Sequence, residues 1–139
     1  MLSDAARDAL LEAARAAAHG AYAPYSGVCV GAAVLLADGG IVAGANIENA
    51  AQNLNCCAER TAIYAALARF GVQRIQALAV SMLREGEGAA HGPISPCGPC
   101  RQVMAEFMDA DAPVLVDGGV TRAVGELLPD PYRPSGSPC

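Results

Sequence analysis

Apolar positions along this chain change period several times, and each change marks an element. Leu2, Ala6, Leu10 and Ala14 recur at helical spacing in an Ala-rich stretch. Ser3 is a good N-cap and Gly20 a good C′ residue, so a first helix is predicted to end near Gly20. Pro24 then disfavours helical geometry at Ala23. Residues 28–36 read as a buried strand, Asp38-Gly39-Gly40 as a hairpin turn and residues 41–45 as the return strand. A polar loop covers 46–55. Ala62, Ala65, Ala66 and Arg69 at turn spacing predict a helix over 57–70, stopped by Gly71. Residues 75–82 form a strong strand candidate.

Residues 84–95 hold three glycines and a proline and read as a flexible loop. A third helix is predicted over 97–108, with strands at 113–116 and 120–124 around Gly118-Gly119. A short helix is expected over 125–128. The order is helix, hairpin, then strands alternating with helices. It predicts an α/β fold: a mixed five-stranded sheet with helices on its faces. No internal repeat or linker interrupts it, so one domain is expected over 1–132. Residues 133–139, rich in Pro, Ser and Gly, are expected to be a disordered tail.

At 139 residues with 53% hydrophobic content, the chain can bury a substantial core. No apolar run reaches the roughly 18 residues of a membrane span. No basic-then-apolar leader follows Met1, so a cytoplasmic protein without a membrane partner is expected. The net charge is −5 and the nine basic residues are scattered. That disfavours a nucleic-acid partner, which would call for a basic stripe.

Six cysteines without an export signal point to metal or redox chemistry before disulfides. Cys57-Ala58-Glu59 lies forty residues before Pro96-Cys97-Gly98-Pro99-Cys100. Cys97 and Cys100 are one turn apart at the start of a helix, so both sulfurs can reach one ion. Cys57 opens the preceding helix. Three thiolates on Zn²⁺ leave a fourth corner open for water, and Glu59 stands close enough to move that water's protons. Such a site carries a formal charge of −1; Arg60 could offset it by hydrogen bonding to a thiolate.

Other readings of the same residues exist. Cys-Gly-Pro-Cys is also a thiol–disulfide redox pair, but the Trp that normally precedes such a pair is missing. A closed structural zinc site needs a fourth ligand, with Cys56 and His91 as the candidates, and would leave Glu59 idle. Cys29 is expected in the core, Cys56 packing at the helix start, Cys139 in the tail, and His19 at a helix C-terminus. His91 is expected to be solvated.

Cys-Ala-Glu with Pro-Cys-x-x-Cys is the zinc-deaminase signature in its all-cysteine form. Further words narrow it: Ala21-Tyr22-Ala-Pro-Tyr25-Ser26, Gly44-Ala-Asn46-Ile-Glu48-Asn49-Ala50, Cys57-Ala-Glu59-Arg60-Thr61, Ser95-Pro-Cys97-Gly-Pro-Cys100-Arg101-Gln102-Val103 and Glu126-Leu-Leu-Pro129. Together, from about residue 20 to 132, the chain resembles the small homotetrameric cytidine deaminases. The resemblance implies a three-layer α/β/α fold and hydrolysis of cytidine and 2′-deoxycytidine to the uridine nucleosides with release of ammonia, a pyrimidine-salvage reaction. It implies Cys57, Cys97 and Cys100 as zinc ligands and Glu59 as the catalytic proton carrier. Asn46 and Glu48 would bind a ribose hydroxyl, and Tyr25 would lie near the sugar. Ala58 would contact the substrate, and Val28 stands where the family packs a residue beside the base. Ala50 would face a neighbouring subunit's base, and Tyr132 would stand where the family stacks a Phe on it.

The chain departs from the pattern at three positions. Val28 stands where the family usually carries a Phe, Gln52 where it often carries a Tyr, and Tyr132 replaces the stacking Phe. A lost ring removes about 0.5–1.5 kcal/mol of aromatic pairing. A rival reading is therefore a deaminase of a modified cytosine nucleoside of the blasticidin type. Glu48 opposes it, since a sugar without the hydroxyl would leave that carboxylate unpaired. A zinc-stabilised interaction module without turnover is the reading from another class.

Overall fold

The computed structural model describes residues 1–84 and 94–135. His91 and Cys139, and the expectations attached to them, lie outside the described residues.

Helix α1 spans Asp4–Ala18. Ser3 caps it as expected, its Oγ accepting from Ala6 N–H at 3.2 Å. At the other end the chain leaves through His19 in right-handed geometry, and Gly20 keeps a negative φ. The expected glycine cap is therefore absent; the N–H groups of His19, Gly20 and Ala21 close the last turn on Ala16, Ala17 and Ala18. Strand β1 spans Val28–Leu36 and β2 spans Ile41–Ala45. Their hairpin turns at Gly39, whose φ of 88° only glycine adopts freely. Asp38 Oδ1 accepts from Gly40 N–H at 2.8 Å and fixes the turn.

Helix α2 spans Ala58–Phe70, β3 spans Ile75–Arg84 and α3 spans Gly98–Phe107. Strand β4 spans Pro113–Val116, β5 is only Arg122–Ala123 and α4 spans Val124–Leu127. The last strand is shorter than its apolar run predicts because α4 begins at Val124. Ala123 ends the strand and serves as the N-cap of α4, its N–H donating to Glu126 Oε2 at 2.7 Å.

The sheet order is β2-β1-β3-β4-β5. All pairs are antiparallel except β3 with β4. The sheet is thus mixed, and the β3–α3–β4 crossover is its parallel unit. Both faces are covered. Val30, Ala32, Val34 and Leu36 of β1 pack with Ala62, Ile63, Ala66, Met104 and Val124 on one face. Ala33, Ala77, Ala79 and Leu115 pack with Leu10 and Ala14 of α1 on the other. Alternate residues of β1 therefore point into separate cores, which is why its sequence is apolar without interruption.

Small residues set the layer spacing. A Cβ on Gly31 would lie 1.9 Å from Ala14 O and 2.4 Å from Ala18 N, both backbone atoms of α1. A Cβ on Gly44 would lie 2.7 Å from Ala62 N of α2. Gly31→Ala therefore forces α1 off the sheet. It is expected to cost about 3 kcal/mol and lower Tm by about 10 °C, read by thermal unfolding. The outer layer is also tied down by charge. Asp117, buried after β4, accepts from Arg15 Nε at 2.8 Å and from Ser81 Oγ at 2.8 Å. The Arg15 guanidinium holds that carboxyl below its usual range.

Candidate active site

The sulfurs of Cys57 and Cys97 meet because each residue is the N-cap of a helix. Cys57 (φ −69°, ψ 152°) starts α2 and Cys97 (φ −70°, ψ 167°) starts α3, in nearly the same extended conformation. Their carbonyls accept the first helical bonds from Thr61 and Arg101, each at 3.0 Å. Neither side chain caps its helix, which leaves both thiols for other partners. Cys100, one turn into α3, is fully buried. Cys57 Sγ is 3.6 Å from Cys97 Sγ, and Cys97 Sγ is 3.2 Å from Cys100 Sγ. All three sulfurs fall within 4.8 Å of one another, and none is in a disulfide.

The start of α2 and a guanidinium favour a thiolate at Cys57. The Cys100 thiol, with help from Arg60 and Cys97, pulls the Cys57 thiol down to about 5. The same hydrogen bond, together with burial, pushes Cys100 up. Cys57 is the first of the pair to ionise. Arg60 Nη2 lies 3.5 Å from Cys57 Sγ and 3.5 Å from Asn55 O, both long contacts. Its Nε is buried without a hydrogen-bond partner among the described residues. Its charge, more than its hydrogen bonds, suits it to a sulfur-rich neighbour.

A cavity of about 250 Å³ opens in front of the sulfurs. Glu59 lies on its wall and is only 3% exposed. Burial raises the pKa of its carboxyl. Cys57, Cys97, Ala58, Val28, Asn46 and Glu48 share the same cavity.

Asn46 has a second task there. β2 ends at Ala45, and the Asn46 side chain carries the pairing with β1 onward. Its Oδ1 accepts from Val30 N–H at 2.7 Å and its Nδ2 donates to Val28 O at 2.9 Å. Glu48 is held as firmly. Its Oε1 accepts from the N–H groups of Tyr25 (3.0 Å) and Ser26 (3.1 Å), and its Oε2 from Ser26 Oγ at 2.6 Å. The Ser26 hydroxyl keeps this carboxyl below its usual range.

Three sequence-predicted positions are not brought into this protomer's cavity. Tyr25 gives Glu48 its backbone N–H, but its side chain is exposed. Ala50 lies on an exposed loop that folds on itself, with Asn49 N–H donating to Asn55 Oδ1 at 2.7 Å. Tyr132 is 73% exposed, its backbone N–H and C=O both bound by the Gln102 amide at 3.0 Å. Gln52 sits on the same exposed loop.

Conversely, Ser26, Asn55, Cys56, Ile94 and Ser95 line the cavity without having been singled out for it. Ser26 and Ser95 sit inside the motif words, which was the available signal. Cys56 is half-buried and its sulfur accepts from Thr61 Oγ1 at 3.5 Å. Cys29, expected in the core, is half-buried near the start of β1. Arg101 braces the segment that presents Cys97, donating to Pro96 O (2.8 Å), Leu127 O (2.8 Å) and Ser95 Oγ (2.6 Å).

Chemically, a sulfur cluster open to a cavity, with a buried carboxyl on the same wall, suits a hydrolytic metalloenzyme better than a structural staple. The comparisons make the class specific. The family described as cytidine and deoxycytidylate deaminase zinc-binding region matches residues 5–116. A cytidine deaminase of Halalkalibacterium halodurans is 42% identical over 130 residues, covering 91% of this chain and 93% of that protein. One from Mycobacterium tuberculosis is 44% identical over 117 residues, covering 84% and 81%. The crystal structure of the Burkholderia pseudomallei cytidine deaminase superposes with a TM-score of 0.79 at 45% identity, over 90% of this chain and 98% of that one. The chain belongs to the cytidine and deoxycytidylate deaminase family and shares its fold. The expected three-layer architecture and the expected enzyme class are both borne out.

Proposed function

We propose that this protein hydrolyses cytidine and 2′-deoxycytidine to uridine and 2′-deoxyuridine with release of ammonia, as a step of pyrimidine salvage. The observation that carries the reading is the convergence of Cys57, Cys97 and Cys100 beside the buried Glu59 in one cavity. The three thiols fit Zn²⁺. Tetrahedral ligands at about 2.3 Å stand roughly 3.8 Å apart, and the sulfurs here are 3.2 and 3.6 Å apart along the cluster. Zn²⁺ held by these sulfurs would supply Lewis acidity, lowering the pKa of a bound water.

The chain's own residues do the rest. Glu59 takes a proton from the attacking water and passes it to ring N3 as oxygen bonds to C4. It then carries a second proton to the exocyclic nitrogen, and ammonia leaves. Burial raises the pKa of its carboxyl, which favours its return to the protonated form between transfers. Asn46 and Glu48 take a sugar hydroxyl, while Val28 and Ala58 border the base.

Arg60 offsets the net charge of −1 left by three thiolates on Zn²⁺. Arg60→Ala is expected to lower kcat about tenfold. It is also expected to move the acid limb of the pH–rate profile to higher pH, because a more negative site holds protons more tightly. An unchanged profile and turnover would remove Arg60 from the mechanism.

The assembly we propose is a cytoplasmic homotetramer with shared active sites and a domain spanning 1–132. Exposed Tyr25, Ala50 and Tyr132, outside this protomer's cavity, support it. The deciding experiment is a panel of cytosine nucleosides with ammonia detection and metal analysis. Ammonia from cytidine with about one zinc per chain supports the reading; zinc without ammonia from any cytosine nucleoside overturns it.

A further inference from the structure

We infer that Ser26 is a positioning residue for the nucleoside sugar: its hydroxyl fixes the Glu48 carboxylate so that one acceptor site is left for a substrate hydroxyl. The inference rests on Glu48 being the sugar contact of the proposed deaminase.

The hydrogen-bond count carries it. A carboxylate has about four acceptor sites. Three of those on Glu48 are taken: by the N–H groups of Tyr25 and Ser26 on Oε1, and by Ser26 Oγ on Oε2. The Ser26 hydroxyl has no freedom to turn away, because its oxygen already accepts from Val28 N–H at 3.1 Å. Its hydrogen is therefore directed at Glu48.

Glu48 is 9% exposed, yet both it and Ser26 line the cavity. The vacant acceptor site is on Oε2, the oxygen that Ser26 grips. Asn46 has one amide hydrogen left after bonding Val28 O. One substrate hydroxyl can then donate to Glu48 and accept from Asn46. Three donors hold Glu48 in its acceptor form, so a sugar that offers no O–H there leaves a nearly buried anion short of a partner. Ser26 is itself exposed, so a role in core packing does not account for it.

The test measures kcat and KM for the full-length zinc enzyme with cytidine and with 2′,3′-dideoxycytidine. Ser26→Ala is expected to raise KM for cytidine about tenfold with kcat within about threefold, the scale of a hydrogen bond to a charged group. Ser26→Thr, which keeps the hydroxyl, is expected to stay within about threefold of wild type in KM. With 2′,3′-dideoxycytidine the Ser26→Ala effect should shrink to under about twofold, since the hydroxyl that reads Glu48 is gone. In a Glu48→Ala background, adding Ser26→Ala should likewise change KM by less than about twofold.

An unchanged cytidine KM in Ser26→Ala overturns the inference, as does an equal KM rise with both nucleosides or on both backgrounds. Should Ser26→Ala fail to fold, Ser26→Cys, a weaker donor of similar size, carries the same comparisons. A wild-type enzyme that releases no ammonia from any cytosine nucleoside would defeat the deaminase reading itself, which separates that failure from this one.

Discussion

Glu59→Gln is expected to abolish turnover, by about 10⁴-fold or more in kcat, while zinc content and fold are kept. General acid–base catalysis contributes about 10²–10⁴-fold for one positioned group. Here a single carboxyl moves two protons in succession, so the upper end applies. The amide keeps the shape of the side chain and cannot accept or release those protons. It also removes a carboxyl that is only 3% exposed, a setting that disfavours the charged form. Tm at pH 7 should therefore be unchanged or higher. Ammonia release, metal content and a thermal melt on the same preparation check all three points. Full activity in Glu59→Gln would move the proton work to another residue. Full zinc with no activity in the wild type would favour an interaction module.

Cys100→Ser is expected to lose both zinc and activity. A neutral hydroxyl is a poor zinc ligand, and Cys100 is fully buried, so no water can easily replace its sulfur. Zinc should fall from about one per chain to under about 0.1, and ammonia release to background. An ion present at a thousand times its Kd adds about 4 kcal/mol of stability, so Tm should drop by about 10 °C or more. A chelator should bring the wild-type melt down to that of the variant. Cys56→Ser is the control for metal content. Cys56 lies outside the sulfur cluster and its sulfur is engaged by Thr61, so its loss should leave zinc in place.

The sequence made the cysteine cluster legible because its chemistry is local. Cys97 and Cys100 are one helical turn apart, and Cys57-Ala58-Glu59 keeps thiol and carboxyl two residues apart. Only the meeting of the two segments needed tertiary structure, and the N-cap geometry shared by Cys57 and Cys97 supplies it. The central elements were legible for a similar reason: β1, β2 and α2 have clear periods and glycine stops.

Where the reading failed, a distant or competing bond decided. At its far end the expected strand over 120–124 stops at Ala123, because α4 takes over at Val124 with Glu126 closing its first turn. The expected glycine cap at Gly20 was not needed, since backbone bonds to Ala16, Ala17 and Ala18 close the helix. The side chain of Asn46 acts as a length of strand, pairing with β1 in place of backbone. No periodicity encodes that. Ser26 and Ser95 reach the cavity from inside the motif words, whereas Ile94 reaches it through the packing of separate segments, which no local pattern encodes. Tyr25, Ala50 and Tyr132 entered through resemblance alone, and they stand outside this protomer's cavity.

The separation of forty positions between the N-cap sulfurs has a consequence for biosynthesis. The intervening residues contain α2 and the long strand β3, and among the described residues they include no other member of the cluster. A growing chain leaves the ribosome with Cys57 long before Cys97, so a lone thiol at the head of α2 must wait, unmetallated, while the hairpin and β3 assemble. Zinc held by these sulfurs would then act as a latch on a sheet already begun, and zinc starvation would be expected to let a shell of native topology accumulate that still lacks the latch.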